Sequence, residues 1–445
     1  MKHAICQSRC PRLGYEATYT KTVKADAGRR YRLYPGREQA ETLIRWGHTC
    51  RALWNVALEQ RRFAYQQRGV RLRAYDQGAY LTQARADLPW LADLPAQSAQ
   101  QVLGHLDRAY DNWWNPEHPA QAPELKKRSA RLSVPFPGQA VSLQRLNRKW
   151  GHVRLPKIGW VRFRWSRAPG EVRNATVTVD GSGTWQISFG VHAGAEPAPP
   201  NKLPGCGVDF GVACSAYVSD EDCPRLMPPT LTAGEKARKL GLERRKARQI
   251  AYAKKRNGGK YSRRLRRTIT ELAELSGRQA RRRQDFTHKL TTGLAKNHGW
   301  IGIEDLKVTN MTASAKGTAE KPGTNVRQKA GLNRGILDNA PYERVRQLTY
   351  KAPRFGSELR LVPPAFTSQD CPACGARDKD SRPGCGRAFA CTACGHADHA
   401  DRNAAVNIEN RARRAGGLNS TRRHPAVPSP RPAGRRMREP LDVAS

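Results

Sequence analysis

The chain is short of acid. Asp and Glu number 38 against 79 Lys and Arg, a formal net charge of +41. Such an excess repels itself in a compact fold unless a polyanion shares the surface, so nucleic acid is the default partner. Long apolar runs are missing too. None approaches the roughly 18 residues a membrane-spanning helix needs, which excludes a helical membrane protein and leaves no membrane partner. The opening residues, Met-Lys-His-Ala-Ile-Cys-Gln-Ser-Arg-Cys, hold no continuous apolar stretch of the kind a secretory signal carries. A cytoplasmic location is therefore expected. A disulfide framework is also disfavoured. The 11 cysteines are an odd number and four of them fall in Cys-x-x-Cys pairs, a pattern that suits a reducing compartment and metal binding.

What is present divides the chain into blocks. Residues 1–20, with Cys6 and Cys10, read as an extension. Arg30-Tyr-Arg-Leu-Tyr34 alternates like a strand, and a helix is predicted from Arg37, with Leu43, Ile44, Gly47, Cys50, Leu53, Trp54 and Ala57 on one face. A second helix follows Pro95 and ends at Pro116, so 37–117 reads as a helical bundle with its tryptophans in the core. Residues 118–138 read as a connector. From Gln139 the period becomes two, and five short strands with close turns suggest a small barrel that the strand at 30–34 could complete. After an Ala/Pro-rich linker, Cys206–Gly211 and Ser215–Ser219 read as a hairpin. Between Lys236 and Lys289 stand 20 Lys/Arg and 4 Asp/Glu, broken at Asn257-Gly-Gly259. This is a basic helical hairpin whose one-sided charge favours phosphate contact, with Lys254, Lys255, Arg256, Arg263, Arg264 and Arg282 as candidate contacts. Residues 307–335 read as a mobile loop, Tyr342–Ala352 as a helix and Ser357–Val362 as a strand. The Gly/Pro/Arg-rich stretch 415–445 reads as a disordered tail.

Two groups of residues carry chemistry. Cys371-Pro-Ala-Cys374 and Cys391-Thr-Ala-Cys394 are separated by sixteen residues. Two residues between ligands let both sulfurs of a pair face one ion, and four thiolates close a tetrahedron, so a structural Zn²⁺ is expected. Gly375 and Gly395 follow directly, where a tight turn is needed. Cys385, between the pairs, reads as a spare thiol. The second group is acidic. Asp209 and Glu304 each end a short apolar strand, and Asp401 opens an amphipathic helix. Each alone has a plain reading, as a turn residue, a strand end or a helix cap. Together, in so basic a chain, they suggest a carboxylate cluster for Mg²⁺, with two ions able to activate water and stabilise the leaving oxygen of a phosphodiester. Asp209-Phe-Gly211 also matches the kinase magnesium tripeptide, but no His-Arg-Asp loop accompanies it.

Gly207-Val-Asp-Phe-Gly211, Ile303-Glu-Asp-Leu306 and Asp401-Arg-Asn-Ala-Ala-Val-Asn-Ile408 resemble the three motifs of a RuvC-type nuclease. With the four-Cys ribbon between the last two, the chain is similar to TnpB, the transposon-encoded RNA-guided nuclease, and to the miniature type V CRISPR effectors. Arg30–Pro35, Glu38-Gln39, Gly47 and Trp54-Asn55 resemble the family's N-terminal signature, and Arg283–Leu290 the helix before the second motif. The resemblance covers roughly 28–414.

It implies a multidomain α+β fold. A wedge-like oligonucleotide-binding barrel (21–36 and 136–198) would be interrupted by a helical recognition domain (37–135). An RNase H-like RuvC domain would follow (199–364, with the basic hairpin at 234–297), then a zinc-ribbon insertion (365–397) and the third motif (398–414). Asp209, Glu304 and Asp401 would bind Mg²⁺ and cut DNA. Arg51 and Asn55 lie where the family's duplex-contacting helix sits. The partners implied are a guide RNA (a CRISPR RNA with its scaffold, or a transposon-derived RNA) and a double-stranded DNA target beside a short motif, with sequence read by RNA–DNA pairing. The expected activity is RNA-guided, metal-dependent endodeoxyribonuclease, with a compact CRISPR effector favoured over the transposon-encoded form. The alternatives are an RNA-guided protein that silences without cutting and a structure-specific nuclease that needs no RNA.

Overall fold

The computed structural model describes residues 26–416, apart from 117, 119, 129–130, 193–197, 257, 319 and 383–386. The expectations for 1–20, Asn257, Cys385 and 417–445 lie outside the described residues.

The first half combines helices with an antiparallel sheet. Strand β1 (Asp26–Tyr34) leads into α1 (Arg37–Arg68), α2 (Ala74–Asp87), the short α3 (Pro89–Ala92) and α4 (Ala96–Trp114). Then come β2 (Leu132–Pro137), β3 (Ser142–Arg145), β4 (Trp150–Leu155), β5 (Gly159–Arg164), β6 (Val172–Val179) and β7 (Trp185–His192). The sheet order is β2-β6-β7-β1-β5-β4-β3. The strand expected to complete a barrel is its centre. β1 pairs with β7 as far as Arg32↔Gln186, then with β5 from Leu33↔Phe163. Tyr31 plugs that junction, its ring 5.5 Å from Phe163 and 5.4 Å from Phe189.

Three readings of this half need correction. Residues 132–137 are a sheet strand and not connector, because alternate side chains at Val134 and Phe136 reach the core. α2 and α3 were not singled out; Arg61 holds α2 to α1 by donating to Gln77 at 2.8 Å. The tryptophans divide: Trp46 and Trp54 are buried, whereas Trp90, Trp113 and Trp114 are 49%, 43% and 41% exposed. The last two end α4, where Arg71 and Arg73 lie over the Trp114 ring.

In the second half, β8 (Cys206–Asp209) and β9 (Tyr217–Val218) form the expected hairpin. The basic stretch forms α5 (Ala233–Arg256) and α6 (Arg263–Asn297), followed by β10 (Trp300–Glu304) and the one-turn α7 (Val308–Met311). Next come α8 (Val326–Asp338), α9 (Pro341–Lys351) and β11 (Glu358–Val362), then β12 (Ala388–Ala390), β13 (Ala397–His399) and α10 (Ala400–Gly416). The sheet order is β11-β10-β8-β9, with β8, β10 and β11 parallel. Parallel neighbours need crossovers, and the helices between these strands supply them. Leu290, Leu294 and Leu348 pack with Val208, Ile301 and Ile303 in one buried cluster. Ile408 and Ala412 of α10 pack with Val362 in another.

Part of the predicted loop at 307–335 is the helix α8. Its glycines misled the sequence reading: a Cβ at Gly335 would stand 2.8 Å from Val212, so the residue serves close approach to the loop after β8. Arg283 pairs with Asp338 at 2.5 Å and fixes the helix end. α10 also runs two residues beyond the predicted limit at 414. Among the described residues, no helix is long and apolar enough to cross a membrane.

Candidate active site and zinc ribbon

The acidic site grows out of two adjacent parallel strands. Val208 of β8 pairs with Ile303 of β10, so one residue further on Asp209 and Glu304 stand side by side at the strand ends. Alternation puts Asp209 on the face of Gly207, and Glu304 on the face of Gly302. α10 covers that face. A Cβ on Gly207 would lie 2.1 Å from the Ala405 carbonyl oxygen, and one on Gly302 would lie 2.6 Å from the Ala412 Cβ. The two glycines let the helix lie directly on the strands, and Asp401 in its first turn arrives above the two strand ends.

The electrostatics register this meeting. The Asp209 carboxyl is pushed up to about 7, first by burial, then by the negative charges of Glu304 and Asp401, against the pull of Arg382. Glu304 is raised by burial, while a hydrogen bond from Thr367 and the charge of Arg411 oppose the shift. The Thr367 hydroxyl donates to Glu304 Oε1 at 2.5 Å. Three carboxylates presenting only oxygen donors suit a hard divalent cation such as Mg²⁺, and a cation would relieve their mutual repulsion.

Sequence reasoning missed several neighbours. The Cys214 thiol, in the loop after β8, is pushed up to about 11, chiefly by burial and then by the neighbouring Asp401 carboxylate. His399 stacks on Tyr217 with ring centroids 5.2 Å apart, and its Nδ1 accepts from the Asp401 amide at 3.2 Å. Asn407 donates to the carbonyls of Thr367 (2.9 Å) and Asp370 (2.6 Å), and Asn403 also donates to that of Asp370. The repeated asparagines of the Asp401–Ile408 motif were the available signal. Cys214 had none beyond its proximity in sequence to Asp209.

The four ribbon cysteines converge. Cys371 Sγ is 3.7 Å from Cys394 Sγ, and Cys374 Sγ is 3.6 Å from Cys391 Sγ. Tetrahedral zinc with Zn–S bonds of about 2.3 Å requires sulfur separations of about 3.8 Å, so the cluster fits that ion. Gly375 and Gly395 have φ of 76° and 73°, and each returns its amide to the carbonyl of the first cysteine in its pair.

The candidate nucleic-acid residues fall in two places. Lys254, Lys255, Arg256, Arg263 and Arg264 are exposed at the tip of the α5–α6 hairpin. Arg282 lies further down, paired with Glu235 at 2.6 Å. Arg51 and Asn55 lie on α1 and hydrogen-bond to backbone: Arg51 donates to the Arg128 carbonyl, and Asn55 exchanges two hydrogen bonds with Lys126.

Comparison with known proteins yields three family matches: "Helix-turn-helix domain" of the IS605 OrfB type over residues 26–70, "Probable transposase" (IS605 OrfB) over 182–315, and "Cas12f1-like, TNB domain" over 342–408. In the first range the structure has a strand and one 32-residue helix. Among curated proteins, the Escherichia coli K12 protein named "Putative RNA-guided DNA endonuclease InsQ" is 36% identical over 383 residues, 85% of this chain and 90% of that protein. A Streptomyces pristinaespiralis protein of the same description is 30% identical over 85% of this chain and 87% of its own length. The CRISPR-associated endodeoxyribonuclease Cas12f1 of Sulfoacidibacillus thermotolerans is 27% identical over 47% of this chain and 45% of its own. A solved Cas12f1–sgRNA–target DNA complex aligns with a TM-score of 0.48 at 13% identity, covering 84% of this chain and 83% of that one. The extent and level of identity to InsQ place this chain in the TnpB-like, IS605 OrfB family, whose curated relatives carry the name RNA-guided DNA endonuclease.

Proposed function

We propose that this protein is an RNA-guided DNA endonuclease whose cutting site is the Asp209–Glu304–Asp401 cluster. The observation that carries the reading is the meeting of three acids from β8, β10 and α10 in a chain of net charge +41. Self-repelling carboxylates need a reason to be held together, and a divalent cation supplies one. In this reading the sheet with its crossover helices is an RNase H-like, RuvC-type domain, and the zinc in the ribbon is structural. The sheet and helices of the first half act as wedge and recognition units for a guide RNA and for the motif beside the DNA target. The hairpin tip contacts phosphate. The protein works in the cytoplasm.

The site's own residues define the chemistry. Asp209 and Glu304, fixed by strand register, present oxygens on one face. Asp401 closes that face from above, and the Thr367 hydroxyl orients Glu304. Two bound Mg²⁺ ions would supply water activation and leaving-group stabilisation. The basic surface brings the polyanion to this face.

A transposon-encoded protein is the better-supported version. Relatives named as RNA-guided endonucleases without a CRISPR association align over 85% of this chain, whereas the Cas12f1 match spans 47%. The test is to co-purify the protein with its RNA, sequence that RNA, and supply a matched duplex with Mg²⁺. Wild type should cut, and Glu304→Gln should bind without cutting. An intact duplex with wild type would leave the non-cutting, silencing alternative. Cleavage without RNA would favour the structure-specific one.

A further inference from the structure

We propose that Cys214, His399 and Asp401 form a second, transition-metal site at the edge of the carboxylate cluster. It takes a borderline-soft divalent ion such as zinc and thereby withdraws Asp401 from the cutting site. The inhibitory half rests on the nuclease reading above; the metal site itself does not.

The geometry is that of a built cage. A thiol sulfur, a ring nitrogen and a carboxylate oxygen lie within 4.8 Å of one another. They come from three separate elements: the loop after β8, the end of β13, and the first turn of α10. Each is held in place. Cys214 is 2% exposed. His399 is stacked on Tyr217, which is 3% exposed and donates its hydroxyl to the Asp222 carbonyl at 2.7 Å. Asp401 is fixed by the seating of α10 on Gly207. Bonds of about 2.0–2.3 Å put tetrahedral ligand atoms about 3.3–3.6 Å apart, so side-chain shifts of about an ångström close the cage.

The donor set decides the ion. Mg²⁺ takes oxygen and leaves thiol and imidazole aside, whereas sulfur with nitrogen selects zinc and its neighbours in the first transition row. Binding replaces the Cys214 S–H bond with S–Zn and releases that proton to solvent, and the neutral His399 ring turns its one lone pair to the ion in place of the hydrogen bond it accepts from the Asp401 amide. With three protein ligands, the fourth position stays open to water, unlike the closed four-sulfur ribbon. Asp401 belongs to both donor sets, so an ion held by Cys214 and His399 competes with the cutting-site cation for its oxygens. Zinc would therefore act as an inhibitor in competition with magnesium, through a cysteine and a histidine that the cutting reaction does not use.

Cobalt provides a readout separate from cleavage. Full-length protein with its ribbon zinc in place, titrated with Co²⁺, should take up one further ion with a near-ultraviolet thiolate-to-cobalt band. Cys214→Ala should remove that band. His399→Phe, which keeps a ring against Tyr217, should weaken the binding by about tenfold or more. In the Mg²⁺-dependent cleavage assay, micromolar Zn²⁺ should inhibit wild type and leave Cys214→Ala active. Absence of the band in wild type, its persistence in Cys214→Ala, or equal zinc inhibition of both proteins would overturn the proposal. If wild type cuts nothing even without zinc, the nuclease reading fails, while the cobalt band still decides whether the metal site exists.

Discussion

Replacing Asp209 by Asn is expected to stabilise the metal-free protein and abolish cutting. The Asp209 carboxyl sits at about 7, against an ordinary 3.8. At about 1.4 kcal/mol for each pH unit, that gap of roughly three units sets a ceiling of about 4 kcal/mol on the cost of ionising it in the folded state. Asp209 is only partly buried, and screening reduces this to roughly 1–2 kcal/mol. The sign follows from linkage: a carboxyl raised on folding costs nothing at low pH, and its cost grows as pH climbs from about 4 towards 7 and is then constant. Without divalent cation, Asp209→Asn should therefore melt a few degrees above wild type at pH 7.5, and the difference should shrink as the pH is lowered to 5. Magnesium should reverse the order. A cation at a hundred times its dissociation constant adds about 2.7 kcal/mol to the form that binds it, and the Asn variant loses a charged ligand. Thermal unfolding at pH 5, 6, 7 and 8, with and without Mg²⁺, reads both effects. An Asn variant less stable than wild type at pH 7.5 without cation, or a difference independent of pH, would refute the crowding of the three acids.

Other perturbations test the supports of the site. Gly207→Ala places a Cβ against the Ala405 carbonyl and the Glu409 amide, at 2.1 and 2.4 Å, so α10 must lift off β8. A loss of about 3 kcal/mol and of cleavage is expected, and an unchanged melting curve would contradict the seating described. Cys371→Ser should end retention of the ribbon zinc through dialysis and raise hydrogen exchange around 365–399, measured by metal analysis and mass spectrometry. Reversing Lys254, Lys255 and Arg256 to Glu should weaken nucleic-acid binding and make its dependence on the logarithm of salt shallower by about 2–3, if each meets a duplex phosphate. An unaltered slope would place the phosphate contacts elsewhere.

The four-cysteine cluster was legible because its information is local: two residues inside each pair and sixteen between pairs bring four thiols together whatever surrounds them. The acids were legible because each follows or begins a short apolar run. What could not be read was their separation, which depends on strand register and on two glycines that admit α10. α8 escaped for a related reason. Gly331 and Gly335 lower its helix propensity, and what holds it is tertiary: Arg283 on Asp338, and Asn333 donating to the Thr312 carbonyl. β2 was lost among prolines. Pro135 and Pro137 lie on an end strand of the sheet, where a missing amide costs little. Trp113 and Trp114 have the helical spacing of core residues, but the helix ends there, and what lies over Trp114 is the guanidinium groups of Arg71 and Arg73.

The ribbon and the acids belong to one circuit of hydrogen bonds, which is why an insertion remote from the strands matters to them. The chain leaves β11 and passes Thr367, whose hydroxyl holds Glu304, and Asp370, whose carboxylate is gripped by Arg377 and Arg411. It then makes the ribbon and re-enters through β13 into α10. From there Asn403 and Asn407 reach back to the carbonyls of Thr367 and Asp370. The segment that orients Glu304 is thus tied to the helix that delivers Asp401, and a metal held by the four cysteines would close the intervening loop. Closing a loop removes conformational entropy from its open states, so metal in the ribbon favours the arrangement in which the acids from β10 and α10 face each other. His399 lies on the same path, at the ribbon's exit, while Cys214 comes from the loop after β8. Cys214 therefore meets His399 and Asp401 only when that circuit is formed.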